Sequence, residues 1–117
     1  MQKHQCKKIL IINDSPTLNV LLELTLAAEG FLITVAETGL TGLKEAGKEE
    51  SDLILLDYIL PDISGLDVCR KLRKEELTKD TPIAFISGKD EDEISEEIVN
   101  AGADAYINPP FMGDIFI

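Results

Sequence analysis

Two aspartates and a serine stand where apolar runs stop. Asp14 follows Ile9–Ile12 by way of Asn13, Asp57 comes directly after Leu53-Ile54-Leu55-Leu56, and Ser87 comes directly after Ile83–Ile86. A carboxylate that emerges from a buried run and meets a second carboxylate must be relieved by a proton or a cation. An oxygen-rich set with few protein ligands suits Mg²⁺, which keeps several waters and readily takes a phosphate oxygen. The chemistry this allows is phosphoryl transfer. Asp57 would be the nucleophile, with the metal and the Ser87 hydroxyl set against the charge that develops on the phosphoryl oxygens. Each of these residues alone reads equally well as a solvated side chain at a strand end. Only their convergence makes a site.

They converge only if the runs are neighbouring strands with the same ends outward. Apolar, β-branched runs at Ile9–Ile12, Phe31–Val35, Leu53–Leu56, Ile83–Ile86 and Ala105–Ile107 alternate with stretches of helical spacing. That is the pattern of a parallel sheet covered by helices on both faces. Ser15-Pro16 offers an N-cap and a first-turn proline, and Gly30 ends that helix. Thr38 or Thr41 opens the second. Ser64 caps the third, which runs to about Glu75 after the breaker Pro61-Asp62. The fourth starts in the acidic run Asp90-Glu91-Asp92-Glu93, suited to the positive end of a helix dipole, and closes at Gly102. Ile94 and Ile98 share one of its faces. The order is (βα)₄β with the start of a fifth helix at Phe111. In such a sheet ligands bind outside the carboxyl ends of the strands, where Asn13-Asp14, Asp57, Ser87-Gly88 and Asn108-Pro109-Pro110 all fall. On the first helix Leu18, Leu21, Leu22 and Thr25 are expected to face the sheet. Val20, Leu24 and Ala28 form a second apolar row.

At 117 residues the chain makes one domain. A net charge of −11 argues against nucleic acid as its direct partner, yet leaves room for a cation among carboxylates. No apolar run approaches the length of a membrane span, and the basic start leads straight into a strand without a signal peptide. With two cysteines far apart, Cys6 and Cys69, reduced thiols and a cytoplasmic location are expected. Cys69 sits at core spacing near Leu66 and Leu72 and is expected to be buried. Asp62 reads as a turn residue, Asp67 as a helix-surface residue and His4 as a solvated tail residue.

Ile9-Leu10-Ile11-Ile12-Asn13-Asp14-Ser15-Pro16 resembles the first acidic turn of response-regulator receiver domains, the CheY-like family of two-component signalling. The segment from Asp52 through Asp57 to Pro61-Asp62-Ile63-Ser64-Gly65 is similar to the family's phosphoacceptor segment. Ile86-Ser87-Gly88 resembles its hydroxyl-plus-small pair, and Ala101-Gly102-Ala103-Asp104-Ala105-Tyr106-Ile107 its run into the last strand. The likeness covers about residues 7 to 111. It implies a flavodoxin-like, doubly wound, five-stranded parallel sheet in the order 2-1-3-4-5. The closing fifth helix would be truncated or missing, and residues 1–117 would be the N-terminal part of a longer regulator. By resemblance, Asp57 accepts a phosphoryl group from a histidine kinase or phosphotransfer protein. Asp14, Asp57 and the Ile59 carbonyl hold Mg²⁺, with Asn13 acting through water. Ser87 contacts the phosphoryl group, and Tyr106 is the aromatic that follows Ser87 in switching. A covalently linked output domain is implied, and a homodimer is possible on this pattern. Nucleic acid and membrane are not direct partners, and catalysis is limited to self-phosphorylation and autodephosphorylation.

Two positions depart from the family. Asn13 replaces an acid, and Pro109 stands where a lysine normally pairs with the phosphoryl group. One carboxylate and one ammonium are lost together, so the formal charge of the set is unchanged. Metal binding is therefore expected to survive better than phosphorylation-driven switching. Lys89 is the candidate substitute, against the simpler reading of a solvated lysine. A cis peptide is expected before Pro110. The departures support an alternative, a degenerate pseudo-receiver that works as a phosphorylation-independent binding or dimerisation module. An aspartyl phosphatase would want an acid two residues after the nucleophile, where Ile59 stands. A flavin carrier would want a hydroxyl-rich loop where Asp14 stands.

Overall fold

The computed structural model describes residues 7–86 and 91–107, the side chains of residues 91–95 excepted. Strands and helices alternate as β1 (Lys8–Ile12), α1 (Pro16–Ala28), β2 (Leu32–Ala36), α2 (Gly39–Lys48), β3 (Leu53–Asp57), α3 (Gly65–Lys74), β4 (Ile83–Ile86), α4 (Glu91–Ala101) and β5 (Ala105–Ile107). The five strands form one parallel sheet in the order β2-β1-β3-β4-β5. The order doubles back at β1, so β1 and β3 lie side by side with their carboxyl ends at the same edge.

Strand alternation divides the core in two. Leu10, Ile12, Ile54, Leu56, Ile83 and Phe85 point to the face covered by Ala46 of α2, Val68, Cys69 and Leu72 of α3, and Ile98 and Ala101 of α4. Ile9, Ile11, Leu55, Ala84 and Ile86 point to the other, against Leu18, Leu22 and Leu26 of α1. Strands buried on both faces are why these segments read as unbroken apolar runs. Cys69 is fully buried, and its thiol donates to the Ala101 carbonyl at 3.3 Å.

Helix starts follow the residues expected. Ser15 Oγ accepts from the Leu18 N–H at 3.3 Å and Ser64 Oγ from Asp67 at 3.1 Å. At α2 both threonines serve: Thr38 Oγ1 accepts from the Thr41 N–H while Thr41 Oγ1 accepts from Thr38, a reciprocal box. Gly30 and Gly102, at φ +97° and +99°, take the left-handed turn that ends α1 and α4.

β2 begins one residue later than expected. The Phe31 N–H is used on the Leu26 carbonyl, in the turn that closes α1, and the ladder starts with Leu32 N–H donating to Lys7. One expected core residue is displaced. Leu21 is exposed, whereas Asn19 is buried and Leu26 packs on the sheet side. Taking Leu22 as the inward direction, successive residues turn by about 100°. Leu18, Thr25, Leu26 and Asn19 then fall within about 60° of it, and Leu21 falls well outside. Val20 and Leu24 are exposed, as the second row required. Among the described residues no helix is long and apolar enough to cross a membrane. His4, Cys6, Pro109, Pro110 with its expected cis peptide, and the helix start at Phe111 lie outside the described residues.

Candidate functional site

The site grows from the carboxyl ends of β1 and β3. Past β1, the Asn13 N–H donates to the Ala36 carbonyl at 3.0 Å, which prolongs the pairing with β2 by one residue. The next residue, Asp14, is exposed, and the chain turns at once into α1 through the Ser15 cap and Pro16. Asn13 itself is 1% exposed. Its side-chain Nδ2 donates to Asn19 Oδ1 at 2.9 Å, and Asn19 Nδ2 donates back to the Asn13 carbonyl at 2.8 Å. The expected water-bridging side chain is thus one held mostly inside, with its amide nitrogen turned to α1.

Asp57 is the last residue of β3 and faces Ile86 of β4 across the ladder. The Tyr58 N–H donates to the Ile86 carbonyl at 3.1 Å, and the Gly65 N–H returns to the Tyr58 carbonyl at 3.0 Å. The start of α3 therefore lies hard against the end of β3, and a Cβ at Gly65 would collide with the Asp57 carbonyl oxygen. This is the physical reason for the glycine in the phosphoacceptor-like segment.

The Asp57 carboxyl is raised from 3.8 to about 6, chiefly by burial and also by the nearby Asp14 carboxylate, while the Ile59 N–H, which donates to Oδ1 at 3.3 Å, and the Tyr58 N–H oppose the shift. The site thus holds two neighbouring carboxylates, one of them partly desolvated, with the Ile59 and Tyr58 N–H groups as partial relief. Among the described residues no third acid, histidine or cysteine joins them. Such a pair fits a hard divalent cation that keeps most of its own waters and does not fit a site built for a soft or fully caged metal.

Around the pair, Tyr106 of β5 lies opposite Phe85 of β4 and packs, half-buried, on the core beneath α2, α3 and α4. Ile59 is exposed beside Asp57. Ser87 and Lys89 lie outside the described residues; Ile86, which precedes Ser87, is the ladder partner of Asp57.

Two residues around the site, Asn19 and Tyr58, were not singled out by type or spacing, and a third, Asp62, was read only as a turn residue. Asn19 looked like an ordinary helix residue. Tyr58 donates its hydroxyl to Glu97 of α4 at 2.7 Å and meets Phe85 edge-on at 6.2 Å between ring centroids, which ties the segment after Asp57 to α4. Asp62 does more than make a turn. Its carboxylate accepts from the Gly39 and Leu40 N–H groups at 2.7 and 2.8 Å, so it caps α2 from another loop, and those bonds hold its carboxyl below the usual range.

The family model for the response regulator receiver domain matches residues 9–115. The alkaline phosphatase synthesis transcriptional regulatory protein PhoP of Bacillus subtilis (strain 168) is 37% identical over 105 residues, covering 90% of this chain and 43% of that protein. The chain thus spans less than half the length of the curated relatives it matches. A CheY-like receiver domain protein from Methanospirillum hungatei JF-1 superposes with a TM-score of 0.83 at 33% identity, covering 91% of this chain and 83% of that one. The receiver domain of a sensor histidine kinase from Pseudomonas aeruginosa PAO1, with a magnesium ion coordinated in its active-site cleft, superposes with a TM-score of 0.84 at 25% identity, covering 91% and 87%.

Proposed function

The chain belongs to the response regulator receiver domain family, and from that premise we propose that it is phosphorylated on Asp57 by a partner histidine kinase or phosphotransfer protein, with Mg²⁺ held by Asp14 and Asp57. The observation that carries this reading is the half-buried Asp57 carboxylate, its pKa raised by burial and by the neighbouring Asp14, at the carboxyl end of β3. With its carboxyl near 6, Asp57 is ionised at neutral pH and only weakly solvated, which suits an oxygen nucleophile.

An Asp57 carboxylate oxygen bonds to the phosphorus of a phosphohistidine while the P–N bond breaks. The imidazole keeps the electron pair and takes a proton from water. Attack by water on the resulting acyl phosphate returns inorganic phosphate and the carboxylate. Bound Mg²⁺ supplies positive charge against the phosphoryl oxygens. Asp14 and Asp57 would hold it as anionic ligands and the Ile59 carbonyl as a neutral one. Ser87, the residue after the ladder partner of Asp57, donates its hydroxyl to a phosphoryl oxygen, and Tyr106 reports that contact to the α4 side. Lys89, two residues after Ser87 in the sequence, is the candidate substitute for the lysine that Pro109 replaces, against the simpler reading of a solvated side chain. The larger regulator carries an output domain, as its transcriptional relatives suggest by name and length. It acts in the cytoplasm, and a homodimer is one form in which output is read.

The test is intact mass after incubation with Mg²⁺ and acetyl phosphate. A single phosphoryl adduct is expected, absent from Asp57→Asn and from a chelated sample. An unmodified chain, or an adduct that survives in Asp57→Asn, would refute the assignment.

A further inference from the structure

Asn19 occupies a place where an apolar residue would serve packing better. It lies on the inward arc of α1 beside Leu22 and Leu26, is 5% exposed, and keeps its amide out of water. A buried amide is costly unless bonded, and among the described residues both of its side-chain hydrogen bonds go to one residue, Asn13. One of them is to the backbone. By donating to the Asn13 carbonyl, Asn19 fixes the plane of the peptide that joins Asn13 to Asp14, and so the direction in which Asp14 leaves β1. The other bond, from Asn13 Nδ2 to Asn19 Oδ1, locks Asn19 in the orientation that makes the first possible. The two form a closed clasp between the end of β1 and the second turn of α1.

We infer that Asn19 is a positioning residue for the metal site: through the Asn13–Asn19 clasp it holds the Asp14 carboxylate toward Asp57. This rests on the reading of Asp14 and Asp57 as Mg²⁺ ligands and extends it to a residue that touches neither metal nor phosphate. It also gives Asn13 a role different from that of a water-borne ligand. The clasp needs a donor at position 13; an aspartate there would set a carboxylate oxygen against Asn19 Oδ1. Asn13 and Asn19 are therefore a matched pair, and the neutral side chain at 13 belongs to the way this chain orients Asp14, the exposed acid that follows β1.

The experiment is calorimetric titration of Mg²⁺ into the wild-type chain, Asn19→Leu, Asn19→Ser and Leu26→Ala. Leucine keeps the branched shape of Asn19, with bulkier methyl groups, and abolishes both bonds; serine is the smaller replacement should leucine disturb folding. Leu26→Ala loosens the same helix without touching the clasp. Ligand-orienting contacts outside the coordination sphere are worth roughly tenfold or more in metal affinity. A loss of about tenfold is expected in both Asn19 variants, with Leu26→Ala within twofold of wild type. Faster hydrogen exchange at the Asn13 amide, bonded to the Ala36 carbonyl, and at the residue-19 amide, bonded to Ser15, should accompany it in the metal-free Asn19 variants. Mg²⁺ affinity unchanged in Asn19→Leu and Asn19→Ser, or lost equally in Leu26→Ala, would overturn the positioning role alone. A wild-type chain that does not bind Mg²⁺ would overturn the metal reading as well.

Discussion

Asp57 is held in a state that costs stability. Its folded-state carboxyl titrates near 6 against 3.8 in the free side chain, so the folded chain binds a proton where the unfolded chain has already released it. Stability in the absence of metal must therefore fall as pH rises from about 3.8 to about 6, and the full penalty stands above that window. Asp57→Asn removes the charge at nearly constant volume. It should stabilise the metal-free chain at neutral pH by on the order of 2 kcal/mol. The gain should shrink toward zero as the pH is lowered through the same window, as urea denaturation in chelator at several pH values would show. An Asn variant no more stable than wild type at pH 7 would mean that the carboxylate is not strained. Asp57 and Asp14 were legible because each follows an apolar run at a strand end. Asn19 was not, because an amide on a leucine-rich helix carries no signal of its own until the helix phase is known. That phase was misjudged at Leu21.

The elements around the pair are tied to one another by bonds that local sequence does not announce. α3 starts so close to the end of β3 that Gly65 has no room for a side chain. Gly65→Ala should destabilise by about 2–3 kcal/mol, since a backbone carbonyl and not a flexible side chain must give way. Equilibrium unfolding would measure it, and a near-neutral result would contradict the close approach. The glycine was legible as part of a motif; its cause was not. Asp62 ties the loop after β3 to the start of α2, with its carboxyl depressed by the Leu40 and Gly39 N–H groups. A depressed carboxyl stabilises above its unfolded pKa and loses that contribution as pH falls through the folded value. Asp62→Ala should therefore lower the melting temperature at neutral pH, quicken hydrogen exchange in the first turn of α2, and make little difference at strongly acidic pH. Its partners lie 22 and 23 residues away, beyond the reach of any periodicity. The Tyr58–Glu97 bond, spanning 39 residues, is hidden in the same way.

Across the whole molecule, the alternation of apolar runs with helical stretches was enough to give the parallel sheet. Once the sheet is parallel, the strand ends share an edge and the acids converge. The order β2-β1-β3-β4-β5 was not in the periodicity and came from the resemblance. A chain with a net charge of −11 that places two carboxylates close enough to perturb one another is under electrostatic load at that edge. A cation bound there should stabilise the entire fold, because it binds the folded state and not the unfolded one. At a free concentration a hundredfold above its Kd, Mg²⁺ should add about 2.7 kcal/mol. Asp14→Asn should lose most of this gain, and NaCl at matched ionic strength should not reproduce it. A rise in melting temperature that is equal for Asp14→Asn and wild type would point to general screening.

The most direct test of the central claim is where the phosphoryl group goes. An acyl phosphate is reduced by borohydride to the alcohol, so an aspartyl phosphate becomes homoserine at the modified position. After incubation with Mg²⁺ and acetyl phosphate, reduction and peptide mapping should find homoserine at residue 57 alone. Homoserine at Asp14, Asp52 or Asp62, or none at any position while the metal is bound, would contradict the assignment of Asp57 as phosphoacceptor.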